Sequence, residues 1–275
     1  MSQLPICLAA FVSLLAVPSA PGHAGQEPAK PAPPAEYEKG RGTGAPPATD
    51  GVAAAPIEDD KSAATQRLRA AEKGLADKEP RLRAAAIEPF LVHRHETYVK
   101  RLASLLKDRN DDVAKLAAKA LANQPYPAAT EALLDFACNE KQLSARSEVC
   151  AEAIRAVGRV GLGKKGYDRL RDTFLQGDAE VKGALCQAFA AAKEKRAFSF
   201  LVDQFEAPQP ANVNDPSNPP ESYWRARHEE WSKYSMHAKK ALKELTGEKF
   251  ATMKEWKAWA AGPGKALGFS YKTGQ

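Results

Sequence analysis

Apolar residues recur along this chain in a pattern that predicts pairs of amphipathic helices. A Val, Leu or His is followed four, five and eight residues later by small or apolar residues, which places all four on one helix face. Successive copies are 31, 36, 32 and 56 residues apart, and they begin at Leu82, Val113, Val149, Val181 and His237. Repeats of this length are typical of stacked helical units, none of which buries its apolar face alone.

Each copy is predicted to be the second helix of a pair, with another amphipathic helix before it. Apolar residues at helical spacing mark these first helices within residues 99–106, 133–137, 167–174 and 198–205. Turns rich in Asp and Gly separate the two helices of a pair, and acids there suit the positive end of the second helix. Because no segment alternates convincingly with period two, we expect an all-α fold with essentially no sheet.

The turn before the first copy resembles a known repeat signature. Residues 77–83 read Asp-Lys-Glu-Pro-Arg-Leu-Arg and resemble the HEAT repeat position for position, and residues 176–182 keep most of that signature. The other copies replace the Arg that follows the apolar residue with Ala114, Cys150 and Ala238. The resemblance covers residues 62–262 and implies a right-handed α-solenoid of about five HEAT-like helix pairs with a binding role.

The C-terminal part of this repeat domain predicts a cap. Gly247 ends a helix, and a short helix carrying Trp256 and Trp259 on one face follows. We interpret this helix as a cover for the open end of the stack, with ligand stacking by the two Trp as the alternative. The ending is similar to those of exported bacterial HEAT-like proteins, and residues 263–275 form a C-terminal tail.

The N-terminal region predicts export. Residues 4–17 are almost wholly apolar, and Gly22-His23-Ala24 is a plausible cleavage site, so residues 1–24 are interpreted as a signal peptide. Residues 25–61 are rich in Pro, Ala and Gly and predict a disordered tether. We therefore expect the mature protein in the periplasm, cell envelope or extracellular space, with no transmembrane segment after signal removal.

The charge of the chain is concentrated in the predicted repeat domain. The whole chain carries +6, and the tether, with 4 basic and 7 acidic side chains, carries −3, which leaves +9 for the rest. Outward positions of the second helices predict a basic concave groove, formed by Lys115, Lys119, Arg155, Arg159, Lys239 and Lys243. Such a groove favours a protein or other anionic envelope partner, and export disfavours nucleic acid. The alternative is that these are ordinary solvated helix residues.

A second candidate surface follows an insertion at residues 207–222. The helix after it carries Trp224 and Trp231 seven residues apart on one face, with Arg227 between them. Trp and Arg are enriched at binding hot spots, so these three residues are candidate binding residues. The alternative is that the aromatic residues pack on the neighbouring first helix as core.

The sequence gives little support for catalysis. Residues 93–96 contain two His and one Glu but no further ligand, so we predict no metal, no cofactor and no catalytic residue. Cys138 and Cys150 could form a disulfide within one helix pair, or remain buried thiols. The function expected is an exported, non-enzymatic binding or scaffold protein. The alternatives are a HEAT-like enzyme of lyase or DNA-glycosylase type, for which Glu88 is the acid in the groove, and a purely structural envelope component.

Overall fold

The computed structural model describes residues 55–272, apart from residues 211 and 213. The predicted signal peptide and most of the predicted tether lie outside the described residues. The described chain is mostly helical, which confirms the all-α class. Its α-helices are α1 Lys61–Leu75, α2 Pro80–Ile87, α3 Glu96–Leu105, α4 Asp111–Ala122, α5 Pro127–Ala137, α6 Glu140–Ala145, α7 Ser147–Val160, α8 Gly163–Thr173, α9 Ala179–Ala191, α10 Phe198–Asp203, α11 Glu221–Thr246, α12 Met253–Ala261 and α13 Pro263–Ala266. Two 3-10 helices, Glu88–Leu91 and Lys195–Ala197, follow α2 and precede α10.

The predicted second helices are α2, α4, α7, α9 and α11, and each contacts the next one in that order. Each also contacts the predicted first helix of its own pair, which is α1, α3, α5, α8 or α10. In α4, α7 and α9 all four residues of the apolar motif are at most 1% exposed, so these helices bury the face that their spacing predicts. Leu82 departs from the pattern, because it is 52% exposed at the start of α2.

Several helix ends have the chemistry that the turns predict. The Asp178 side chain accepts a hydrogen bond from the Val181 amide at 3.0 Å and caps α9. An amide side chain replaces the predicted acid at α4, where Asn110 accepts from Val113 N at 3.1 Å. Gly247 ends α11 in the left-handed conformation, with φ +79°, as its position after the helix predicts.

One small parallel sheet was not expected from the sequence. Strand β1, Ile57–Glu58, pairs with strand β2, His93–Arg94, and lies inside the segment that we predicted as a disordered tether. Backbone bonds from Ile57 N to Val92 O and from Asp59 N to Arg94 O, both 3.0 Å, hold it. The tether prediction is therefore wrong for residues 57–61. It failed because the sequence of this Pro-rich segment does not indicate that the Asp59 carboxylate has partners in the helical domain.

The C-terminal end packs against the last helix pair. Trp256 on α12 is 1% exposed and contacts Phe198 of α10, with ring centroids 6.1 Å apart. The segment predicted as a tail also takes part, since Phe269 is 4% exposed and lies 5.4 Å from Phe198. Within the described residues, no helix combines the length and apolarity needed to cross a membrane.

Candidate functional site

The middle of the predicted basic groove is an ionic patch in which the cations are paired. Lys115 on α4 forms a salt bridge with Glu148, and Arg155 on α7 forms one with Glu180. Glu152 lies 3.5 Å from Arg155 Nη1. These groups and Asp178 line a depression of about 450 Å³ that holds two cations and four carboxylates. The middle of the predicted basic groove therefore carries more acidic than basic side chains, and the prediction of a basic surface is wrong at this place.

The physical reason is the position of the helix-start acids. Glu148 and Glu180 lie in the first turns of α7 and α9, where acids stabilise the positive end of the helix. Stacking of successive second helices brings each of these acids to a cation on the preceding second helix. The bond with Glu148 raises the pKa of Lys115 above its usual value. Sequence reasoning treated the turns and the outward positions separately, so it missed this pairing.

The other predicted groove residues differ in their surroundings. Arg159 is exposed and lies 3.2 Å from Glu152, whereas the exposed Lys119 has no ionic partner among the described residues. Ala151 and Gly183 occupy in α7 and α9 the outward position that Lys115 has in α4, and both are buried: Ala151 is fully buried, and Gly183 lies against His237. A Cβ on Gly183 would come within 2.8 Å of the His237 ring, so α9 and α11 approach too closely for an open groove there.

A line of hydrogen bonds connects three second helices beside the ionic patch. Arg155 Nε on α7 donates to Gln187 Oε1 on α9 at 2.8 Å. Gln187 Nε2 lies 2.8 Å from His237 Nδ1 on α11, so the amide donates to that ring nitrogen. These bonds fix the side chains in the middle of the face and make it a preformed surface.

The C-terminal end of the same face is different, because its cations surround an apolar depression. This lysine cleft has a volume of about 520 Å³ and lies between α11 and the start of α12. Lys239 and Lys243, both predicted as binding residues, line it together with Lys240 and Lys249. Phe205, Phe250, Trp256 and Met236 supply its apolar walls. Glu248 is the single carboxylate among its lining residues.

Of the residues that line this cleft, only Lys239 and Lys243 were predicted as binding residues from the sequence. Lys249 and Phe250 follow the helix stop at Gly247, and their place beside α11 depends on how the chain turns into α12. Trp256 was predicted as part of a cap; its ring packs against Phe205, and the residue also lines the cleft. The available signal was the short basic and aromatic segment Lys249-Phe250, three residues after the last helical Thr.

In the aromatic segment of α11, some of the predicted binding residues pack against neighbouring elements and others lie at the surface. Trp231 is half-buried and donates from Nε1 to Gln204 O at 3.0 Å, which supports the core alternative for this residue. Trp224 is also half-buried and packs edge-on against Tyr223 at 5.2 Å. Arg227 lies over the Tyr223 ring at 5.6 Å. Trp224 and Arg227 therefore both contact Tyr223, whereas Trp231 is bonded to Gln204, so the three predicted residues do not form one site.

Arg227 also borders a larger depression of about 760 Å³ beside the insertion. Its lining charges balance, since Arg171, Lys182 and Arg227 face three carboxylates. Lys182 is paired with Glu230 and lies 5.3 Å from the centre of the Phe174 ring. This depression offers no net charge to a partner.

A buried polar cluster joins the N-terminal strand to the helices. The Asp59 carboxylate accepts from Arg67 Nε at 2.9 Å, from His93 Nδ1 at 3.0 Å and from the Tyr98 hydroxyl. Burial alone would raise the pKa of Asp59, but these three donors outweigh burial and hold it well below its usual range. The cluster holds residues 57–59 against α1 and α3, which is a structural role.

The described residues give no metal site and no activated nucleophile. They contain no group of three or more His, Cys, Asp or Glu side chains that could hold a metal ion. Cys138, Cys150 and Cys186 are free thiols, so the disulfide left open from the sequence is not formed in the structure. Burial raises the pKa of Cys150 and of Cys186 to about 12, which leaves both thiols protonated at neutral pH.

No family model matches this chain, and no curated protein matches it at a significant level. The likeness to HEAT repeats therefore remains a resemblance carried by residues 77–83 and 176–182.

Proposed function

We propose that this chain is an exported, non-enzymatic scaffold of about five HEAT-like helix pairs, stacked as a right-handed α-solenoid with a C-terminal cap. The order of contacts among the second helices supports this proposal. So do the charged pairs that join successive helix pairs, among them Arg83 with Asp108, Arg146 with Asp111 and Lys182 with Glu230. A preformed face loses little conformational entropy when it binds a partner.

The observation that carries the proposed binding role is the lysine cleft. Its four lysines face one carboxylate, so its lining carries a net charge of +3, whereas the ionic patch carries −2. The partner is therefore an anionic protein surface or another anionic envelope component that engages the C-terminal end of the face. Clustered charge of one sign attracts such a partner and makes its binding sensitive to salt.

The enzyme alternative has less support. A lyase or a DNA glycosylase would need an acid held in the groove, and Glu88, the acid proposed for that role, is exposed in the 3-10 helix after α2. The buried carboxylate of Asp59 is fully engaged by its donors. We propose no cofactor and no nucleic-acid partner.

Affinity capture from an envelope extract tests the binding role. The full chain serves as bait beside a cleft variant, Lys239→Gln, Lys243→Gln and Lys249→Gln. A matched control changes three exposed lysines elsewhere, Lys73→Gln, Lys100→Gln and Lys141→Gln. We expect a partner that the wild type and the control retain, that the cleft variant loses, and that salt releases. Equal capture by all three baits would show that the cleft is not the site, and no capture by any would favour the structural alternative.

Export is tested separately. When the full chain is expressed in a bacterium, we expect a mature protein that begins at Gly25, because Gly22-His23-Ala24 has small residues at the positions that a signal peptidase reads. Mass spectrometry of the protein from the envelope fraction measures this N-terminus. An intact Met1 in the soluble cell fraction would contradict export.

A further inference from the structure

The lysine cleft has walls suited to hydrocarbon. Its volume of about 520 Å³ lies within the range of small-molecule sites, roughly 300–1,000 Å³. Phe205 and Trp256 line it from almost fully buried positions, and Phe250 is half-buried beside them. Met236 is 69% exposed at its edge, and a flexible thioether of this kind adapts to varied apolar ligands.

The cations around the cleft are not equally available. Lys240 lies 3.6 Å from Glu244, and Lys239 lies over the rings of Phe205 and Trp231 at 5.3 and 5.4 Å. The side chains of Lys243 and Lys249 are exposed, and neither has an ionic partner among the described residues. These two ammonium groups are therefore free to pair with an anionic group of a ligand.

The cleft walls offer few hydrogen-bonding groups to the ligand itself. His237 Nδ1 is already engaged by Gln187, and the other polar side chains of the lining are the lysines, Glu248 and the Trp256 indole, whose buried Nε1 has no hydrogen-bond partner among the described residues. An extended peptide would place backbone amides against rings without partners, which is unfavourable. A hydrocarbon chain has no such groups, so the apolar walls and the free cations together favour a ligand with one chain and one negative charge.

We propose that the lysine cleft binds a single-chain amphipathic anion, with its acyl chain against Phe205, Phe250 and Trp256 and its carboxylate beside Lys243 and Lys249. This inference rests on the proposed function, which places binding at the lysine cleft, and it adds the chemical class of the ligand. The hydrocarbon contributes through burial of apolar surface, and the two lysines select the sign of the head group.

Calorimetric titration of the full chain with dodecanoate, below its micelle concentration, tests the proposal. We expect one dodecanoate per chain and a change in Trp fluorescence. Dodecyltrimethylammonium, which has the same chain and the opposite charge, and butyrate, which lacks the long chain, should each bind at least about tenfold more weakly. The variant Lys243→Gln with Lys249→Gln should weaken dodecanoate binding about tenfold, whereas Lys73→Gln with Lys100→Gln should leave it unchanged.

Other outcomes overturn the proposal. Equal affinity for the anionic and the cationic amphiphile, or no effect of the cleft variant, would show that the lysines do not select the ligand. Binding to phosphatidylglycerol vesicles without competition from dodecanoate would assign the cleft to a membrane surface instead. If dodecanoate does not bind while the capture experiment still yields a partner that the cleft variant loses, this inference fails and the scaffold proposal stands. If the cleft variant changes neither experiment, both fail.

Discussion

Arg83 is a cation held almost entirely away from water. Its guanidinium donates to both Asp108 carboxylate oxygens at 2.7 Å and to the carbonyls of Asp77 and Lys78 at 2.8 and 2.9 Å. The two charged side chains are 6% and 8% exposed. Asp108→Asn keeps the shape but leaves the cation without its counter-ion, so we expect a loss of about 3–5 kcal/mol in the free energy of unfolding.

Urea denaturation monitored by circular dichroism measures this loss. The exposed pair Arg225 with Glu221, whose side chains are 75% and 86% exposed, provides the control. Because exposed pairs contribute little, Arg225→Gln should change the free energy of unfolding by less than about 1 kcal/mol. Similar effects of the two substitutions would contradict the structural role given to Arg83 and Asp108.

Asp59 predicts a specific dependence of stability on pH. Its pKa is depressed in the folded protein, so its stabilising contribution is present at neutral pH and is lost as the pH falls below the ordinary aspartate value of about 4. Asp59→Asn should therefore be much less stable than the wild type at pH 7, and the difference should shrink at pH 3. Urea unfolding at both pH values, with the exposed Glu88→Gln as control, tests this expectation. A constant difference would mean that the charge of Asp59 does not stabilise the fold.

At the scale of the elements, Gly158 marks the closest approach between α7 and α9. A Cβ at this position would lie 2.6 Å from Ala188 Cα and 2.9 Å from Ala188 O. Both are backbone atoms, which side-chain rotation cannot move aside. Gly→Ala within a helix normally stabilises by about 1 kcal/mol. Here we expect Gly158→Ala to destabilise by about 1–3 kcal/mol, because the two helices must separate.

Thermal and urea unfolding measure that effect. Gly166→Ala on α8 is the matched control, since its Cβ would meet side-chain atoms of Leu162 and Leu134 at 3.2 and 3.4 Å. The Leu134 methyl can rotate away, and the 3.2 Å approach to Leu162 Cβ needs a shift of only a few tenths of an ångström, so its effect should be smaller or of opposite sign. If both variants gain stability, α7 and α9 do not pack as closely as the structure has them.

The helices themselves could be predicted from the sequence, because each depends on local spacing. The motif residues of α4, α7 and α9 are buried as their period requires. Leu82 is exposed because α2 has a neighbouring second helix, α4, on one side only among the described residues. Strand β1 was missed because its partner, strand β2, lies 36 residues away, and no local sequence pattern indicates that pairing.

At the scale of the whole molecule, the net charge did not predict which cations are free to bind a partner. The chain after the predicted tether does carry a net positive charge, but Lys115 and Arg155 are each paired with an acid from the next second helix. Such pairs join residues 25 to 33 positions apart and depend on how stacked helices are rotated. Lys243 and Lys249 have no such partner among the described residues, because the one acid in the first turn of α12, Glu255, accepts hydrogen bonds from Ala251 N and Thr252 N instead.

The proposed stacking also predicts how the effect of a local defect spreads through the molecule. In a stacked array, each unit is stabilised mainly by its neighbours, so a defect at one end should stay local. Trp259 on α12 is 7% exposed and packs on Phe198 and Phe269 at 5.8 and 5.3 Å, and it does not line the lysine cleft. Trp259→Ala should cost about 3–5 kcal/mol of local stability.

Hydrogen exchange followed by mass spectrometry resolves where that stability is lost. For Trp259→Ala we expect faster exchange in α10, α11 and α12 and unchanged protection in α1 to α5, because the main helix contacts of α12 are with α10 and α13. Trp224→Ala, at a half-buried ring near the start of α11, serves as the control and should leave the cap protected. A uniform loss of protection from α1 to α12 would mean that the chain unfolds as one cooperative core, and the proposed solenoid would then be wrong.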